Sequence, residues 1–70
     1  MVELPSNIPD EMRASVVIGY ATGQVVRQAD CEVIDAFDRL AERARALGQS
    51  LEHTALDVLD GIVRFDENQT

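Results

Sequence analysis

The sequence predicts an all-α fold, a small three-helix bundle, and three observations carry this prediction. Apolar residues recur at gaps of three and four along most of the chain, which is the spacing of a helix buried on one side. Proline occurs only at positions 5 and 9, so no later residue interrupts a helix by lacking an N–H. A chain of 70 residues has room for one domain. We therefore expect one domain over residues 10–65, with an irregular arm at 1–9 and a frayed tail at 66–70.

The first helix is predicted from Pro9 to about Gln28, because proline is favoured in a first helical turn. One apolar stripe along it consists of Met12, Val16, Gly19, Gly23 and Val26. A second stripe consists of Ala14, Ile18, Ala21 and Val25. A glycine inside a helix costs about 1 kcal/mol relative to alanine, so we expect another backbone to approach the glycines closely. We interpret this face as a close-packing surface.

The second helix is predicted to open at Asp30 or Glu32 and to end near Leu47. Gly48 suits the left-handed C-terminal cap that would stop it. Its expected core seam is Val33, Phe37, Leu40, Ala44 and Leu47.

The third helix is predicted to begin after Ser50, a favourable N-cap residue. Its inward-facing side chains are expected to be Leu51, Ala55, Leu59 and either Val58 or Ile62. The short connections between the three helices imply a bundle. A bundle of this size covers little apolar surface by itself, so a homo-oligomer, most simply a dimer, or a helical protein partner is expected.

The charge of the chain excludes several classes of partner. Thirteen acidic residues against six arginines give a formal charge of −7. Non-specific nucleic-acid binders and membrane-surface binders depend on a dense cationic surface, so neither DNA nor a membrane is an expected partner. The N-terminus lacks a secretory signal, and no stretch approaches the roughly 20 apolar residues of a membrane span. The expected compartment is the cytoplasm.

No residue pattern indicates an enzyme, a metal site or a cofactor. Cys31 and His53 lie in no motif that supplies an orienting base or an oxyanion site, and their separation offers no metal-ligand spacing. Phe37 is assigned to the core seam and Phe65 to the frayed end, which leaves Tyr20 as the one ring that could stack on a base. Tyr20 is interpreted more readily as an interface residue.

Three segments follow one another in a shared register. They are Ile18-Gly19-Tyr20-Ala21-Thr22-Gly23, Asp35-Ala36-Phe37-x-x-Leu40-x-x-x-Ala44 and Leu51-x-x-x-Ala55. Together they resemble an ANTAR domain, a family of bacterial transcription antitermination regulators. The resemblance runs from about Val17 to Val63, and Cys31 falls where that family often has a turn cysteine. It implies a three-helix module that binds hairpins in nascent RNA, usually as a dimer.

The chain departs from the family pattern at cationic positions. Thr22 stands where the family has a lysine, and Ala41 stands where it has an arginine; Val26 replaces a methionine. Because RNA affinity depends on neutralising phosphates, these losses are expected to weaken binding by about an order of magnitude or more. Arg45, one turn beyond Ala41, could reach toward the space left by the missing arginine.

The RNA hypothesis places recognition of a hairpin loop on the first two helices, where small residues let the backbone approach the bases. The candidate RNA-binding residues are Ala21, Thr22, Gly23, Arg27, Arg43 and Arg45. An alternative interpretation pairs Arg39 with Asp35 and places Arg43 and Arg45 on a solvated face beside Asp38 and Glu42.

The rival hypothesis is a degenerate ANTAR-like module that dimerises or binds another helical protein and does not bind RNA. Its candidate interface residues are Gly19, Tyr20 and Gly23. Spare apolar residues expected to join them are Val17, Val25, Leu56 and Val63. The acidic balance favours this rival, whereas the glycines and arginines fit both hypotheses.

Overall fold

The computed structural model describes residues 9–65, which form one 3₁₀ turn and three α-helices. The 3₁₀ turn is Asp10–Met12, α1 is Arg13–Ala29, α2 is Val33–Leu47 and α3 is Leu51–Leu59. This part of the chain contains no strand, so the prediction of an all-α three-helix bundle is confirmed. The predicted tail at 66–70 and the predicted arm, apart from Pro9, lie outside the described residues.

Local sequence signals account for the ends of the helices. Asp30 has a φ of 54° and closes α1 in the left-handed conformation, so Glu32 and not Asp30 is the N-cap of α2. Gly48, with a φ of 67°, ends α2 as predicted, because glycine takes this conformation without a Cβ clash. The Ser50 hydroxyl oxygen accepts a hydrogen bond of 3.0 Å from the His53 N–H and caps α3, which is also as predicted.

The core lies between the three helices and the segment that follows α3, and small side chains make up much of it. Its buried apolar residues are Val17, Ala21, Val25, Ala29, Ala36, Leu40, Ala44, Ala55, Val58, Leu59, Val63 and Phe65. Alanines on all three helices let the helix axes approach closely, since interaxial distance depends on the side chains at the contact.

The face that α1 buries differs from the predicted glycine stripe. Val17, Ala21, Val25 and Ala29 form the buried row, whereas Met12 is exposed and Gly19 faces solvent. A Cβ built on Gly19 or Gly23 meets no heavy atom within 4 Å, so the expected close approach does not occur within the bundle. Both glycines fall at the spacing of an apolar helix face, but a glycine offers almost no surface to bury.

The predicted seam of α2 is correct at Leu40 and Ala44 and wrong at Val33, Phe37 and Leu47, which are all exposed. Ala36 completes the buried row in their place. A buried alanine brings α2 close to its neighbours, and the larger residues on either side of the row are thereby left at the surface.

Three residues expected to be spare for a partner, Val17, Val25 and Val63, are buried in the domain's own core. Leu56 remains partly exposed as expected. In α3, Ala55, Val58 and Leu59 face inward as predicted, and the alternative Ile62 lies beyond the helix and is exposed. Of the four residues expected to be spare for a partner, Leu56 alone keeps exposed apolar surface.

The segment after α3 folds back across the bundle and buries Phe65, which the sequence placed at a frayed end. The Phe65 N–H donates a hydrogen bond of 2.9 Å to Oε1 of Gln28 at the end of α1. The guanidinium of Arg43 on α2 lies 4.6 Å from the centroid of the Phe65 ring. Phe65 thus ties the end of the domain to both α1 and α2.

Candidate functional site

Between α1 and the first half of α2, residues 9–65 form an open, largely apolar surface groove. On α1 its residues are Ser15, Ile18, Gly19, Thr22 and Gly23. On α2 they are Val33, Ile34, Phe37 and Asp38, and Leu51 at the start of α3 completes the lining. We call this feature the α1–α2 groove.

The α2 wall of the groove is a ridge of large apolar side chains that the domain itself does not cover. Ile34 is 77% exposed, Val33 is 64% exposed and Phe37 is 43% exposed. Single exposed apolar residues are ordinary on protein surfaces, but three neighbours on one helix face form a patch of the kind that marks an interaction site.

The α1 wall is low because Gly19 and Gly23 have no side chains there. The space around both glycines is open, so a molecule entering the groove can reach the α1 backbone. Between them in the chain, the Thr22 hydroxyl donates a hydrogen bond of 2.7 Å to the Ile18 carbonyl oxygen. This bond within α1 satisfies the Thr22 hydroxyl. The groove therefore pairs a tall apolar ridge with a shallow glycine edge.

The predicted RNA-binding residues are not brought together into one surface. Ala21 is fully buried and Thr22 nearly so, which leaves Gly23 as the small residue that is accessible. Arg43 is half-buried with its guanidinium over the Phe65 ring, on the opposite side of α2 from the groove. Ala21 and Thr22 therefore present almost no surface to a ligand outside the bundle, and the RNA-binding assignment stays a prediction.

Two of the predicted RNA-binding arginines are exposed and have neutral or acidic neighbours on their own helices. The Arg45 guanidinium forms an ion pair of 2.9 Å with Glu42, and both side chains are well exposed. The Arg27 guanidinium donates a hydrogen bond of 3.3 Å to Oε1 of Gln24. The placement of Arg45 agrees with the alternative interpretation of a solvated face shared with Glu42.

The predicted interface residues lie along the outer side of α1. Gly19, Tyr20 and Gly23 border a shallow depression that also includes Arg27. Tyr20 is 39% exposed, and the two glycines are shared between this depression and the α1–α2 groove. The glycines were thus identified from the sequence, but the larger wall that faces them was not.

That wall was missed because Val33 and Phe37 were assigned to the core. A usable signal was present, since Val33, Ile34, Ala36, Phe37 and Leu40 crowd five apolar residues into eight positions of one helix. Such a set spans more of the helix surface than a single seam, so part of it had to remain outside the core.

The remaining polar residues form small networks that support the fold. The Thr54 hydroxyl lies 2.9 Å from Oε1 of Gln49 and 3.1 Å from the Ser50 carbonyl oxygen. The His53 ring lies 3.8 Å from the Asp57 carboxylate. Within residues 9–65 no group of three or more histidine, cysteine or acidic side chains is arranged to hold a metal ion.

Comparison of the chain with known protein families, with curated proteins and with solved structures found no match. The ANTAR resemblance stays a prediction that rests on the residues quoted above. None of the helices in the described part of the chain combines the length and the apolarity needed to cross a bilayer.

Proposed function

We propose that this domain is a protein-interaction module that binds a helical segment in the α1–α2 groove. The observation that carries the proposal is the exposed ridge of Val33, Ile34 and Phe37 facing the glycine edge of α1. Fully burying a side chain of this size stabilises a complex by about 1.5–3 kcal/mol, so this ridge alone provides several kilocalories per mole for binding.

The shape of the groove suits a helix. Val33 and Ile34 are adjacent and Phe37 lies one turn beyond them, so together they form a continuous apolar wall on which the apolar face of an amphipathic helix can pack. The absent side chains at Gly19 and Gly23 allow a partner backbone to approach α1 closely. The glycines therefore favour an interacting partner, although they pack against nothing in the domain itself.

A single acidic substitution in the ridge is expected to abolish association. Ile34→Asp places a charge where a partner would remove water, whereas the fold should change by less than about 0.5 kcal/mol because Ile34 is at the surface. Sedimentation over a range of concentrations measures self-association. Fluorescence anisotropy measures binding of two synthetic amphipathic helical peptides that share a leucine face and carry either lysine or glutamate on the flanks.

Leu56→Asp is the matched control, because it introduces the same charge at a partly exposed leucine on α3. We expect the parent protein and Leu56→Asp to associate with a second copy or with at least one peptide, and Ile34→Asp to lose that association. The proposal is wrong if the parent protein neither self-associates nor binds either peptide. It is also wrong if Leu56→Asp loses binding and Ile34→Asp retains it.

A second candidate function, which we also propose for testing, is binding of RNA hairpins. It is supported by the three-segment resemblance and by the exposure of Arg27 and Arg45 on neighbouring helices. The Arg45–Glu42 pair is no obstacle, since an exposed ion pair contributes only about 0–1 kcal/mol and a phosphate can replace the carboxylate.

If RNA is a ligand, substitutions at two positions on α2 should change its affinity in opposite directions. Arg45→Glu removes an exposed cation and should abolish measurable binding of a two-hairpin RNA, whereas Ala41→Arg restores the family's cation and should strengthen it. Binding should weaken steeply with salt, with a slope that reflects a handful of phosphates. Gel-shift titrations at low salt measure this binding. If neither the parent protein nor Ala41→Arg binds the RNA, this candidate function is eliminated.

A further inference from the structure

We propose that the occupant of the α1–α2 groove is an amphipathic helix with basic residues beside its apolar face. This inference rests on the proposed interaction function and specifies the chemistry of the partner. It follows from the charges around the groove, from the charge of the whole chain and from the shape of the two walls.

The charges at the groove have one sign. Among the described residues that line it, the one ionisable side chain is Asp38, and no arginine is part of the lining. Glu32 and Asp35 lie beside Val33 and Ile34 in the chain, and both are exposed. Asp38 lies in the groove lining and Glu32 directly precedes the ridge, whereas Asp35 lines the depression on the other side of α2 together with Arg39 and Arg43.

Arg39 follows Asp38 directly in the chain and is exposed, but it lies with Asp35 and Arg43 on the other side of α2 and is not part of the groove lining. Arg43 lies over Phe65 on the other side of α2, and Arg45 is paired with Glu42 about two turns further along the helix. A partner with lysine or arginine beside its apolar face would meet opposite charge at the rim and apolar surface in the middle, which is the usual arrangement of a complementary interface.

Charge disfavours a second copy of this chain as the occupant. Each copy carries a formal charge of −7, and the ridge that would enter the partner's groove is flanked by the same carboxylates. Juxtaposed like charges oppose association, most strongly at low salt. A basic helix is attracted by the same negative charge that repels a second copy of the chain.

The two peptides with a shared leucine face test this inference. We expect the lysine-flanked peptide to bind the parent protein about tenfold or more tightly than the glutamate-flanked one, with the difference shrinking as salt rises. Asp38→Asn should weaken binding of the lysine-flanked peptide several-fold, whereas Asp35→Asn, on the other side of α2, and Asp60→Asn, at the end of α3, should not.

Ile34→Asp separates docking in the groove from general attraction to an acidic protein. The substitution adds a negative charge, so nonspecific attraction would strengthen binding of the lysine-flanked peptide, whereas docking on the ridge requires binding to be lost. Strengthened binding overturns the inference.

Two further outcomes also overturn it. Equal affinity for the two peptides means that the rim charges do not select the partner. Self-association that Ile34→Asp abolishes, without binding of the lysine-flanked peptide, assigns the groove to a second copy; the inference then fails while the proposed interaction function stands. If the parent protein shows no self-association and binds neither peptide, both fail.

Discussion

Replacing Phe65 by alanine is expected to lower the free energy of unfolding by about 3–5 kcal/mol. The ring is buried at the end of the domain and lies under the guanidinium of Arg43, while its backbone N–H is bound by Gln28. A domain of 70 residues has about 4–10 kcal/mol of stability in total, so this loss removes a large fraction of it. Thermal unfolding followed by circular dichroism should show a midpoint lowered by more than about 10 °C.

Phe37→Ala is the matched control for this prediction, because it removes the same ring from an exposed site on α2. It should lower the free energy of unfolding by less than about 1 kcal/mol, since water already covers much of the ring. Equal destabilisation by the two substitutions would contradict the burial that the structure assigns to the two phenylalanines.

The second large effect is expected at Leu40, where substitution by alanine should cost about 2–5 kcal/mol. Leu40 is fully buried on α2, and Ala36 and Ala44 lie one turn before and after it. These small neighbours cannot extend into the space that a leucine leaves, so a cavity should remain. Urea denaturation should give a lower midpoint with an unchanged dependence on denaturant.

Leu47→Ala provides the comparison on the same helix, because Leu47 is 47% exposed near the C-terminal end of α2. We expect it to shift the urea midpoint only slightly. A larger loss of stability on substitution at Leu47 than at Leu40 would mean that α2 buries the seam predicted from the sequence and not the row that contains Ala36.

The end of α2 and the start of α3 could be predicted from the sequence, because each depends on the chemistry of one nearby residue, whereas α1 begins at Arg13 after a 3₁₀ turn and not at Pro9. The left-handed cap at Gly48 and the hydroxyl cap at Ser50 are local and were predicted correctly. Which face of a helix is buried depends on the side chains that the neighbouring helices present at the contact. Alanine and valine rows can be buried as readily as leucine and phenylalanine rows. On α1 the glycine stripe was wrong, whereas Ala21 and Val25 of the second predicted stripe are buried; on α2 three of the five predicted seam residues were wrong.

One wall of the candidate site could be predicted from the sequence, and the other could not. Gly19 and Gly23 were recognised as an unusual surface because glycine inside a helix has a known cost. The opposite wall was missed because the size of Phe37 favoured a core assignment, and Phe65 was missed because it stands close to the end of the chain. Only the folded arrangement shows that Phe65 occupies the core while Phe37 borders the groove.

The alanine-lined core also determines how this domain can change over generations. Positions such as Ala21, Ala36 and Ala55 are completely enclosed, and each already has the smallest side chain that has a Cβ. The accessible substitutions at these sites are therefore almost all enlargements, which push helices apart and cost about 1–3 kcal/mol. Sequence drift should consequently be concentrated on the outer faces, and the surface that selects a partner can diversify while the spacing of the helices stays fixed.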